Sequence, residues 1–130
     1  MESVNEYFSL LVELTEQSEW IIHQDLIFRQ IDDKEAYIRG ILYLRGGFIL
    51  HMAEYIIIQD DGSPERPKYR YQLQDHQGKM VSRWDNAFHH SDIPTHPFHK
   101  HLKDGSVTSS QNMSIRKLLS ELDDIMSEKL

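Results

Sequence analysis

Three short glycine-bearing stretches constrain this chain's fold more than anything else in it. "RGG" (45–47), "DDG" (60–62) and "HQG" (76–78) separate runs of β-branched and aromatic residues that alternate with polar ones. The runs are "AYIRGILYL" (36–44), "FILHMAEYIII" (48–58), "KYRYQLQD" (68–75) and "KMVSRWD" (79–85). Alternation with period two marks half-buried strands, and tight glycine turns join them as antiparallel neighbours. "WIIHQDLIFRQI" (20–31) is ambiguous, with β-branched and aromatic content that favours a strand. The expectation is a meander of four to five strands, apolar on one face and partly open on the other.

The flanks change period. Val4, Tyr7, Phe8, Leu11 and Leu14 recur at helical spacing, as do Ile115, Leu118, Leu119, Leu122 and Ile125. Asn112 or Ser114 would cap the second helix, within a C-terminal segment of 112–130. Residues 86–111 lack sustained periodicity and are expected to be a long loop and polar linker, stiffened by Pro94 and Pro97. The predicted class is therefore α+β, a single domain over 1–130, with two helices around a meander. The C-terminal helix is expected to pack on its own sheet, with docking on a partner as the alternative.

The chain has no cysteine, which excludes disulfides and thiolate metal sites. No apolar run approaches the roughly 18 residues of a membrane span, and the first residues carry acids where a signal peptide carries bases. A soluble, cytoplasmic protein with no membrane partner is expected. Net charge is −7, which disfavours non-specific nucleic-acid binding. Residues 64–105, however, hold seven Lys or Arg against five Asp or Glu, with six histidines besides. That middle segment alone offers an anion a favourable field.

"RWDNAFHHSDIPTHPFHKH" (83–101) carries five of the eight histidines. Arg83 and Asp85 flank Trp84 on one strand, so their side chains share a face that Trp84 does not. His99 and His101 are likewise two apart. Metal binding would draw on His89, His90, His99, His101 and Asp85. Proton transfer would use the same imidazoles, whose ordinary titration range suits acid–base work near neutrality. Cleavage of RNA without a metal needs a base, an acid and cations for the phosphorane. Arg83, Arg70, Arg39 and Lys100 could supply the cations. Tyr69, Tyr71 or Phe98 could stack a base, or the two tyrosines could face the core. Glu54 sits among apolar neighbours and needs a partner if buried, with Arg39, Arg70 or Arg83 as candidates. It would then be a structural ion pair or a carboxylate held in a cleft.

Taken together, "YIRGILYL", "EYI", "KYRYQLQD", "RWDNAFHH" and "HPFHKHL" resemble the TumE-like family of small bacterial toxins, over about Tyr37 to Asp104. The matches are Arg39–Gly40, Glu54–Tyr55, Tyr69 with Tyr71, Trp84–Asp85–Asn86 and His89–His90. Phe98 stands where the family usually has a histidine, and Phe88 where it commonly has a proline. The resemblance implies a toxin with a dedicated protein antitoxin. By analogy with small toxins at large, the target would be translation, through RNA cleavage. His90 with His99 or His101 would then serve as acid and base, and Asp85 or Glu54 would orient an imidazole. No cofactor is expected, with a metal held by the histidines as the alternative. A non-catalytic protein-binding module, or a homodimer, is the other outcome left open.

Overall fold

The computed structural model describes residues 1–88 and 92–129. The element order is α1 (Val4–Gln17), β1 (Ile21–Gln30), β2 (Glu35–Leu44), β3 (Ile49–Ile58), β4 (Pro64–Gln74), β5 (Met80–Asp85), β6 (His99–Leu102), β7 (Val107–Ser109) and α2 (Ile115–Lys129). Among the described residues the strands form one seven-stranded antiparallel sheet in the order β1 to β7. The α+β meander between two helices is thus as expected, but the strand count of four to five is too low. The ambiguous run at 20–31 is β1. The segment 86–111, expected to be loop and linker, contributes β6 and β7. Those strands are four and three residues long, too short to reveal a period of two. The second helix begins at Ile115 rather than 112, and Ser114 Oγ caps it by accepting from Lys117 N–H at 3.2 Å.

The turns explain the strands' spacing. Gly46 and Gly47 take φ of 76° and 79° between β2 and β3, a left-handed backbone that other residues resist. At 75–79 the Asp75 carboxylate accepts from Gln77 and Lys79 N–H at 2.9 and 3.0 Å, closing the β4–β5 turn. On α1, Ser3 Oγ accepts from Glu6 N–H, a serine N-cap.

Alternation divides the sheet into two faces. One carries Ile38, Leu42, Leu50, Met52, Ile56, Tyr69, Tyr71, Leu73 and Trp84, all buried beneath the helices. The α1 stripe meets it through Val4 and Leu11, and Phe8 stacks on Phe28 of β1 at 4.6 Å. The α2 stripe meets it through Ile115, Leu118, Leu122 and Met126, so this helix is used up within the fold. Trp20 Nε1 donates to Asp123 Oδ1 at 2.6 Å, tying the α1–β1 turn to α2. Among the described residues no helix covers the other face. No helix among the described residues is long and apolar enough to cross a membrane.

Candidate active site

The register places chemically useful residues of the open face in two adjacent rows. Arg39, Ala53, Arg70, Asp85 and His99 face one another in turn across β2 to β6. Ile41, His51, Gln72, Arg83 and His101 form the second row. The rows converge on Asp85 at the end of β5. Its Oδ1 lies 2.6 Å from His99 Nε2, and its Oδ2 lies 3.3 Å from Arg83 Nε and 3.4 Å from His101 Nε2. Ala87 N–H donates to Oδ1 at 3.2 Å, an Asx turn that fixes the carboxylate where the chain leaves the sheet.

Depth orders this cluster. The His99 side chain is 1% exposed and Asp85 8%, whereas His101 is 13% and Arg83 25% exposed. His99 and Asp85 therefore form the back of the site, and His101 and Arg83 its mouth. His99 Nδ1 lies 2.9 Å from the Pro97 carbonyl, which can only accept, so Nδ1 carries a proton. Nε2 then faces Asp85 at 2.6 Å, a contact that attracts only with a proton on one of the two groups. At the mouth Arg83 Nη2 lies 2.9 Å from His101 Nε2 and 3.4 Å from its Nδ1, so the guanidinium sits against the imidazole ring.

Three ligand atoms, one each from Asp85, His99 and His101, lie within 4.8 Å of one another. That count suits a catalytic metal site. Arg83 opposes it, because its fixed positive charge already contacts Asp85 and His101.

The other residues singled out in the sequence fall elsewhere. His89 and His90 lie outside the described residues. Arg39 and Arg70 share the open face and are exposed. Lys100 points away from His99 and His101, with its ammonium 5.1 Å over the Trp84 ring. Tyr69 and Tyr71 are in the core, so they do not line the site.

Glu54 also belongs to the helix-covered face. Arg39, Arg70 and Arg83, the partners considered for it, lie across the sheet. Tyr7 donates to Glu54 Oε1 at 2.7 Å and Tyr71 donates to Oε2. Arg66 Nη1 donates to Tyr71 Oη at 2.9 Å and to the Met113 carbonyl, and Nη2 donates to Asn112 Oδ1 at 3.1 Å. Burial raises the Glu54 carboxyl above its ordinary range, opposed by the two phenols and by Arg66. Burial likewise pushes Tyr7 and Tyr71 up. This network welds α1, the sheet and the start of α2. Arg66 was not legible as its member, since "SPERPK" looks like turn residues alone. Asn86 was legible only as a strand exit. Its side chain accepts from Tyr69 N–H at 2.9 Å and donates to the Arg66 and Pro67 carbonyls at 3.3 and 3.2 Å. The run Trp84–Asp85–Asn86 thus serves core, site and strand clamp in succession.

No curated protein and no solved structure matches the chain. The family model described as Toxin TumE matches residues 11–129, which take in both rows of the open face and most of the chain. The chain belongs to the TumE family, the toxin side of a toxin–antitoxin pair, and that membership implies a cognate antitoxin.

Proposed function

We propose that this toxin is a metal-independent ribonuclease that stops translation by cleaving RNA at the β5–β6 end of the open face. One observation carries this. An imidazole and a guanidinium, both partly exposed, converge on a buried carboxylate. Arg83 binds the scissile phosphate, which draws the guanidinium from His101. His101 then accepts the proton of the 2′-hydroxyl as the 2′-oxygen attacks phosphorus. Arg83 stabilises the charge that builds on the phosphorane. As the bond to the 5′-oxygen breaks, His101 returns the proton to that oxygen. The products are a 2′,3′-cyclic phosphate and a 5′-hydroxyl. Asp85 and His99 are positioning residues. Asp85 orients the two groups at the mouth, and His99, held by the Pro97 carbonyl, fixes Asp85 from behind.

His101→Ala is expected to lower cleavage of a single-stranded RNA by about 10²- to 10⁴-fold and to relieve growth arrest on expression, with EDTA leaving wild-type cleavage unchanged. Equal arrest by wild type and His101→Ala sinks the proposal. The three-donor set of Asp85, His99 and His101 supports a second reading, a metal-dependent hydrolase. Loss of cleavage in EDTA and its return with one divalent ion would favour that reading.

A further inference from the structure

The basic side chains of the open face extend well beyond the cluster at Asp85. Arg29, Tyr37, Tyr55 and Lys68 form a third row, directly beside Arg39 and Arg70. With Arg83, five of the chain's 14 Lys and Arg therefore lie on one sheet face. Helix α1, on the opposite side, carries Glu6, Glu13 and Glu16 and no base. The net charge of −7 thus conceals a local basic strip on a face that also carries Asp25, Glu35, Glu65 and Asp85. Between the rows lies a concavity of about 530 Å³, whose lining includes Arg39, His51, Arg70 and Gln72, with Asp25 on its β1 side. Glu35 and Glu65 stand in the next row and end the basic strip there.

Two aromatic rings lie beside this strip. Tyr37 and Tyr55 stack at 4.8 Å with an interplanar angle of 18°, and Tyr37 is 47% exposed. Tyr55 donates its hydroxyl to Glu35, which anchors the lower ring. That hydrogen bond pushes the Tyr55 phenol up to about 12. An exposed stacked pair of rings offers a flat surface that the core does not require.

We propose that the open face binds single-stranded RNA along its width, with phosphates on Arg70 and Arg39 and an unpaired base stacked on the Tyr37–Tyr55 pair. From β6 to β2 the path crosses four strand spacings, about 19 Å, long enough for several nucleotides. Arg39 and Tyr37 are two residues apart on one strand, so phosphate and base contacts alternate as they do in sequence-tolerant single-strand sites. A duplex has no free base face to present to the tyrosines. The inference rests on the ribonuclease reading for its choice of ligand and adds the substrate's strandedness and its path.

The test is binding of a fluorescent 2′-O-methyl oligonucleotide of about ten nucleotides, which cannot be cleaved, measured by anisotropy over a range of salt. Tyr37→Ala is expected to weaken binding about tenfold with little change in salt slope, and Tyr37→Phe to bind like wild type. The Arg39→Ala, Arg70→Ala double variant is expected to lower the salt slope by about 0.7 per lost phosphate contact. All three positions are at the surface, and thermal melting checks that each variant is folded. Binding that no variant changes overturns the path, as does a duplex bound as tightly as the single strand. Polyglutamate bound in place of RNA overturns it in favour of an acidic protein partner. If His101→Ala still cleaves RNA while the binding variants behave as expected, the catalytic proposal falls and this one stands.

Discussion

Two carboxylates on opposite faces of the same sheet meet different environments. Asp85 is ringed by a guanidinium and two imidazoles, whereas Glu54 is ringed by phenols, with Arg66 acting through Tyr71. Burial favours the protonated form of Glu54, so the folded chain holds this proton more tightly than the unfolded one. The group's stabilising contribution is complete below its ordinary value of 4.5 and is lost as pH rises through the raised folded value. The urea midpoint of the wild type is expected to fall across that window relative to Glu54→Gln. Parallel pH profiles for the two proteins would contradict this. At the same scale, period two placed Arg83 and Asp85 together and Trp84 behind them, and His99 with His101, from sequence alone. It could not pair Glu54, because its partners come from Tyr7 and Tyr71, 47 and 17 residues away, and that distance leaves no local pattern.

At the level of elements, the long strands were legible because each has enough residues to show alternation and a turn at its end. β6 and β7 were not, since "HKHL" and "VTS" carry almost no apolar signal and follow two prolines. Yet β6 supplies half the candidate site. Its partner β5 is held in place by Asn86, which continues the β4–β5 connection by side-chain hydrogen bonds where backbone pairing stops. Asn86→Ala leaves Tyr69 N–H and two carbonyls without these partners. It is expected to cost about 2 kcal/mol in urea denaturation, and to reduce cleavage by loosening Asp85 next to it. A variant as stable as wild type would show that water replaces the clamp.

Across the whole molecule, two helices seal one face and leave the other open. α2 is the larger seal, with Leu118 and Leu122 fully buried. Leu122→Ala is expected to destabilise the fold by about 3 kcal/mol, read from thermal or urea unfolding, without altering the open face directly. The basic strip of the open face was only half visible beforehand. Segment sums along the chain found the basic middle, but not that β2 lends Arg39 and β1 lends Arg29 to the same face. The consecutive strand order β1 to β7 has one further consequence, for the chain during its own synthesis. Each strand pairs with the one just made, so the sheet can grow from the N-terminal side as the chain emerges. Asp85 and Arg83 then wait for β6, and the core waits for α2. A ribosome making this chain therefore holds a sheet without His99 and His101 beside Asp85 until the last quarter of the chain has appeared.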